Sequence, residues 1–169
     1  MTQVSNKVDW CLEKAKKELQ QGKKHRGLIN QEPNIEEVRN HITKAEHDLS
    51  AITYFDKGGF SDWSMSAAFY SIYHCFLAIA AKFGYESRNQ ECTIALIKSL
   101  KETNKIDFDN KFIEALENYD ERDVQNVIER REFYTYGTTL SVEDKEEIKK
   151  NIQLCKDCIL QTRKILFQE

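Results

Sequence analysis

The sequence predicts an all-α protein: an up-and-down bundle of four to five helices with an extra helix at the N-terminus. The chain has 6 Gly and 1 Pro in 169 residues, too few turn-forming residues for a fold of many short strands. Apolar residues recur at spacings of three and four along most of the chain, which is the period of an amphipathic helix. A chain of this length buries a sizeable core without a disulfide or a metal.

The first predicted helix runs over residues 3–21 and ends at Gly22. The stretch from Cys11 to Arg26 holds six Lys or Arg residues against two Glu. A run of this kind is typical of a solvated helix face, and the alternative is contact with nucleic acid or another phosphate. We expect residues 1–30 to form an N-terminal helix and basic loop, and residues 31–169 to form the bundle.

The second predicted helix begins after Asn34, whose side chain can cap it, and stops at Gly58. Glu36 and Glu37 lie in its first turn, where the helix dipole favours negative charge. Its apolar stripe predicts one buried face, made of Ile35, Val38, Ile42, Ala45, Leu49, Ile52 and Phe55.

The third predicted helix, residues 62–83, carries two apolar seams. A helix that is apolar over most of its circumference packs on several sides. Its length exceeds what a small bundle needs, so we expect one seam to pack on a second copy of the chain and form a homodimer. The first seam is Trp63, Ala67, Tyr70, His74, Leu77 and Ala81; the second is Met65, Phe69, Ile72, Phe76, Ile79 and Phe83.

Three more helical segments follow. The first spans residues 89–101. Asp109 is the expected cap of the second, a helix or pair of helices that reaches Ile128. The acidic stretch 119–123 is expected to interrupt this second segment. Ser141 and Asp144 resemble a capping box that opens the last helix. The stripe of that last helix is Ile148, Ile152, Cys155, Ile159, Thr162 and Leu166.

Composition limits the function. The formal net charge is −3 and the pI is near 5.9, so any nucleic-acid contact must be local. Neither a signal peptide nor a membrane-spanning stretch is evident, which predicts a cytoplasmic protein without membrane association. Five cysteines in such a chain favour reduced thiols, and Cys155 and Cys158 are expected to be buried thiols and not half of a zinc site.

Familiar catalytic patterns are absent from the sequence. It has no Glu-x-x-His pair, Gly-rich phosphate loop, Gly-x-Ser-x-Gly turn or His-Glu-x-x-His motif. We therefore expect no metal, no cofactor and no catalytic residue of these common classes.

Two individual side chains stand out on apolar faces. We expect His74 to be a core residue that is hydrogen-bonded to Tyr70, and the alternative is that it is a polar group facing a dimer cleft. Arg131 shares a helical face with Val127 and Ile128, so its guanidinium is expected to point inward. Its partner would be Glu46, Asp48 or a Tyr hydroxyl in a structural salt bridge, or else a bound anion such as a nucleotide phosphate. Arg130 is expected to be exposed.

The chain resembles the HEPN family of small helical domains from about Gly27 to its C-terminus. The segments that carry the resemblance are Gly27-Leu28-Ile29, Ala45-Glu46-His47-Asp48-Leu49, Ala68-Phe69-Tyr70-Ser71-Ile72-Tyr73-His74, Phe83-Gly84-Tyr85, and Arg131 followed by Tyr136-Gly137. The resemblance implies a helical bundle that dimerises.

Many HEPN proteins look like RNases of toxin and defence systems that use an Arg and a His separated by four to six intervening residues. Counted from Arg131, the positions that such a His would occupy hold Tyr136, Gly137 and Thr138. The chain therefore resembles the noncatalytic branch, which is thought to bind nucleotide or to act as partner of a minimal nucleotidyltransferase in a toxin–antitoxin or defence system.

The residues we expect at a ligand site on that basis are Arg131, Tyr136, Arg130, Tyr134, His74, Tyr70 and Tyr73. Arg offers phosphate contact and aromatic rings offer base stacking. The alternative is a divergent RNase toxin that uses Tyr136 or His74 and acts on RNA as a dimer.

Overall fold

A computed structural model describes residues 2–117 and 127–167. The described residues form seven α-helices and one small sheet, as the all-α prediction requires. The elements are α1 (Gln3–Gln20), β1 (Leu28–Asn30), α2 (Ile35–Lys57), a 3₁₀ turn (Ser61–Trp63), α3 (Ser64–Lys82), β2 (Tyr85–Ser87), α4 (Gln90–Glu102), α5 (Asn110–Leu116), α6 (Val127–Tyr136) and α7 (Lys145–Phe167). The acidic residues predicted to interrupt the fifth helix, 119–123, lie outside the described residues.

Helix caps lie at most of the predicted positions. The Asn34 side chain accepts hydrogen bonds from the backbone N–H groups of Glu36 and Glu37, and Asp109 accepts one from Lys111. The predicted capping box at Ser141 is wrong, because α7 begins at Lys145 and Asp144 accepts from the Glu146 N–H at 2.9 Å. The Val142 N–H donates to the Ser61 hydroxyl at 2.8 Å. That bond ties the chain to the 3₁₀ turn and delays the start of the helix.

Helix α3 is the centre of the bundle. It packs on α2, α7, α6 and α4, and its second predicted seam is the core: Met65, Phe69, Ile72, Phe76 and Ile79 are all buried. The first seam is only partly covered, since Trp63 and Tyr70 remain exposed. Residues 61–82 are the one described stretch long and apolar enough to cross a bilayer, and 72% of its most apolar 18 residues are buried in the protein, as in the core helix of a bundle.

A two-stranded antiparallel sheet joins the N-terminal segment to the end of α3. Leu28 pairs with Ser87 and Asn30 with Tyr85. Before β2, Gly84 has a φ of +78°, and a Cβ there would lie 2.6 Å from the carbonyl oxygen of Gln31. Only glycine fits this turn. The helical reading of the sequence missed the sheet because three-residue strands are too short to show an alternating pattern.

The N-terminal helix α1 packs mainly on α4 and β1. Cys11 of α1 and Cys92 of α4 form a disulfide, so the expectation that all five cysteines are reduced is wrong. The two residues are 81 positions apart, and only the packing of α1 on α4 brings them together. The boundary near residue 30 between an appendage and the bundle stays a prediction.

Candidate functional site

The two adjacent arginines of α6 have different environments. Arg130 donates from Nε and Nη2 to the two carboxylate oxygens of Glu147 on α7, and from Nη2 to the Tyr134 hydroxyl at 2.9 Å. Hydrogen bonding to Glu147 raises the pKa of Arg130. The structural ion pair expected for Arg131 is therefore made by Arg130, and the expectation that Arg130 is exposed is wrong.

Arg131 points inward, as its apolar face predicts. Its guanidinium carbon lies 4.2 Å from the centre of the Phe69 ring, and its side chain is 17% exposed. The Nε atom is buried without a hydrogen-bond partner, and the nearest carboxylate oxygen, on Glu132, is 3.8 Å from Nη2. The aromatic face takes the place of the expected salt bridge, because a planar guanidinium can stack on a ring.

The carboxylates expected to pair with Arg131 are engaged elsewhere. Glu46 binds Arg163, while one oxygen of Asp48, Oδ1, accepts from Lys44 and contacts His47 Nδ1 at 3.2 Å. The other Asp48 oxygen, Oδ2, is buried and has no partner. Within the described residues, Arg131 is thus left with a guanidinium stacked on Phe69 and one long ion pair, to Glu132 at 3.8 Å.

Phe69 connects Arg131 to two of the predicted tyrosines. Its ring meets Tyr70 edge-on, with centroids 5.1 Å apart, and is stacked with Tyr73 at 5.8 Å. Tyr70 is 46% exposed, whereas the Tyr73 hydroxyl hydrogen-bonds Thr93 at 3.1 Å. Phe69 was assigned to the core seam in the sequence, and its second role depends on α6 crossing α3 at this point.

The other two aromatic residues expected at the site lie apart from this cluster. Tyr134 is buried and bonded to Arg130. Tyr136 is 80% exposed at the last residue of α6. Five positions separate it from Arg131, which places the two side chains about 140° apart around the helix. Next to Tyr136, Thr135 reaches Ser66 at 3.2 Å, which fixes this end of α6 on α3.

His74 lies on the α2 side of α3, and its partner is not Tyr70. Its Nδ1 is 3.0 Å from Nδ1 of His41 on α2, so one ring donates and the other accepts. Burial, and secondly the charge of His41, lower the pKa of His74 to about 4. Burial also lowers the pKa of His41. The pair is therefore neutral at pH 7.

His41 was not identified from the sequence as the partner of His74, because the pairing follows from how α2 packs on α3. Helices α2 and α3 are antiparallel, and Ser71 donates to the Ala45 carbonyl while Ser64 donates to the Ile52 carbonyl. Extending that register by one turn puts His41 beside His74. The register was not available without knowing how the two helices pair.

The part of the chain that the structure describes contains no group of three or more His, Cys, Asp or Glu side chains able to hold a metal. Cys155 and Cys158 are free, buried thiols, as predicted. Burial raises the pKa of Cys155 to about 12, which keeps it protonated and unreactive.

Comparison with known protein families identifies this chain's fold family. The family model described as HEPN domain matches residues 38–165, which is well over half of the chain. The match includes α2 through most of α7 and leaves α1 and β1 outside. No curated protein matches the sequence.

Proposed function

The chain belongs to the HEPN domain family, and on that premise we propose that it is a homodimeric module that binds a nucleotide, or the phosphates of RNA, at Arg131. Family members are associated with nucleotide binding or with RNase roles. The observation that carries the proposal is the difference in ion pairing between the two guanidinium groups of α6. Glu147 neutralises Arg130, whereas Arg131 lies on Phe69 and, among the described residues, has only the long contact to Glu132 at 3.8 Å.

A guanidinium in this state suits an anionic ligand. Its planar fork matches two oxygens of a phosphate, and a low-dielectric surrounding strengthens the attraction. The Phe69 ring holds the group in place, so little conformational freedom is lost on binding. Tyr70, which touches Phe69 and is partly exposed, offers a ring on which a base can stack.

The homodimer is proposed from the open seam of α3. Trp63, Tyr70 and Leu77 recur every seven residues, and none of them is buried. Partly exposed aromatic residues in a row are typical of a surface that another chain covers. Sedimentation at micromolar concentration tests this: a dimer is expected for the native chain and a monomer for Tyr70→Glu. A monomeric native chain would refute the dimer.

The family resemblance also supplies the partner in this proposal: a minimal nucleotidyltransferase, in a toxin–antitoxin or defence system. Co-expression with a minimal nucleotidyltransferase of the same organism tests the proposal. Co-purification of the two proteins at a fixed ratio is the expected outcome, and separate elution of two folded proteins would refute it.

Calorimetric titration with ATP tests the nucleotide site. Arg131→Ala should abolish the binding heat, and Arg131→Lys, which keeps the charge and loses the fork, should weaken binding about tenfold or more. The matched control is Arg39→Ala, which removes an exposed arginine of α2 and should leave affinity unchanged. Equal affinity in all four proteins, with each shown to be folded, would refute the Arg131 site.

A second function, RNA cleavage, is favoured by one observation: His74 and His41 are a hydrogen-bonded pair that could pass a proton. Incubation with total RNA discriminates between the functions. Cleavage lost in both Arg131→Ala and His74→Gln would favour the RNase, and intact RNA together with ATP binding would favour the binding module.

A further inference from the structure

The outer face of α1 carries a stripe of lysines around one tryptophan. Lys7, Trp10, Lys14 and Lys17 follow one another at spacings of three and four, so they share a face of the helix. Trp10 is 50% exposed. The ammonium nitrogens of Lys7 and Lys14 lie 4.5 and 5.2 Å from the centre of its ring. We call these four residues the α1 stripe.

We propose that the α1 stripe is a binding site for single-stranded nucleic acid. Trp10 stacks on an unpaired base, and the lysines contact the flanking phosphates. This goes beyond the proposed function, because α1 lies outside the residues that match the HEPN model and the stripe does not involve Arg131.

Charge around the stripe is complementary to a phosphate backbone. The loop that follows α1 adds the exposed residues Lys23, Lys24 and Arg26. Of the two acidic residues within this basic run, Glu18 accepts the Arg26 backbone N–H, and Glu13 lies in the cleft beside Trp10. Lys7 pairs with Glu91 at 3.0 Å. Among the described residues, Lys14 and Lys17 make no ion pair, and the run keeps an excess of positive charge.

The shape of the surface also suits a strand. A surface cleft lies beside the Trp10 ring, lined by Trp10, Glu13, Lys14, Lys17, Glu18 and Gln21. A base must leave its duplex stack to lie flat on an indole ring, which favours single strands over double helices.

An anionic membrane is the other surface that basic, Trp-containing helices bind, and the packing of α1 argues against it. A helix at a membrane interface must insert its apolar face. Here that face is already used: Val8, Cys11 and Ala15 are buried, and the Cys11–Cys92 disulfide holds it on α4. The α1 stripe lies on another, solvent-facing side of the helix.

Fluorescence anisotropy with a labelled single-stranded RNA of about 16 nucleotides tests the inference. Affinity should fall steeply between roughly 50 and 200 mM salt. Lys14→Gln/Lys17→Gln should lower the slope of log K against log salt by about 1.4, since each phosphate contact on a single strand contributes roughly 0.7. The control Lys150→Gln/Lys156→Gln removes the same charge from exposed positions of α7 and should keep the native slope.

The role of the ring is tested by substitution at the same position. Trp10→Ala should weaken RNA binding roughly 5- to 150-fold, and Trp10→Phe should restore most of the affinity because it keeps a stacking face. Tyr54→Ala, at an exposed aromatic residue of α2, should have no effect. Thermal unfolding of each variant verifies that it is folded.

Several results would overturn the inference: no binding of the RNA at low salt, an equal loss in the Lys150/Lys156 control, tighter binding to the matching duplex, or binding to phosphatidylserine vesicles without binding to RNA. Arg131→Ala keeps its α1 stripe and should still bind the strand. Failure at one site is therefore distinguishable from failure at the other.

Discussion

The guanidinium carbon of Arg131 lies 4.2 Å from the centre of the Phe69 ring, at the crossing of α6 and α3. This contact replaces the carboxylate that a half-buried arginine ordinarily needs. Among the described residues, the one carboxylate near Arg131 is that of Glu132, at 3.8 Å, and this weakly paired charge is the basis of the proposed ligand site.

Replacing the ring should affect both stability and binding. Phe69→Leu removes the stacking surface under Arg131 and should lower the free energy of unfolding by about 1–3 kcal/mol. ATP affinity should fall as well, because Arg131 is no longer held in one orientation. Phe76→Leu, at a core aromatic of the same helix, is the control. A similar loss of stability with unchanged ATP affinity is expected there, and urea unfolding with calorimetry measures both.

The ion pair between Arg130 and Glu147 should contribute to stability and not to ligand binding. Arg130→Ala leaves Glu147 half-buried without its partner, so the free energy of unfolding should fall by about 2–3 kcal/mol. Glu147→Gln should lower the free energy of unfolding by less than Arg130→Ala does, since the amide oxygen can still accept a hydrogen bond from Arg130. A loss of ATP binding in a folded Arg130→Ala protein would contradict this division of roles.

Reduction of the Cys11–Cys92 disulfide should destabilise the protein by about 2–5 kcal/mol, because the bond closes a long loop in the unfolded chain. Urea unfolding with and without a dithiol measures the difference. The double variant Cys11→Ala/Cys92→Ala should unfold at the same urea concentration under both conditions. If the native chain is equally insensitive to the reductant, the bond is not formed in solution.

Stability should fall on acidification from about pH 6.5 to pH 4. The folded pKa of His74 lies near 4, below the ordinary histidine value of 6.5, so the unfolded state binds more protons across this window and stability rises with pH. Allowing for the partial exposure of the ring, the effect should be about 1–2 kcal/mol. His74→Gln should have a flatter profile in urea unfolding. An identical slope would show that the pair does not titrate as described.

The sequence predicts the features that depend on neighbouring residues. The caps at Asn34 and Asp109 and the buried stripe of α7 depend on spacing within one helix, and the structure confirms them. The resemblance to HEPN domains, which the family match bears out, also depends on short local segments in order.

What the sequence did not predict depends on which elements meet. Cys11 and Cys92 are far apart in the chain, and the His41–His74 pair needs the register of two helices. The ion pair expected at Arg131 is made by Arg130, and this difference also depends on which helices pack together. Adjacent residues on a helix point about 100° apart, so the position of α7 decides which of them meets Glu147.

The most direct test of the central claim is the NMR signal of the Arg131 Nε–H group during titration with ATP. The signal is assigned from its absence in Arg131→Lys, and Arg163, paired with Glu46 on the surface, is the internal control. The account predicts that the Arg131 signal shifts and saturates with the dissociation constant found by calorimetry, while the Arg163 signal stays in place. An Arg131 signal that does not move while ATP binds, or a protein that binds no ATP, would contradict it.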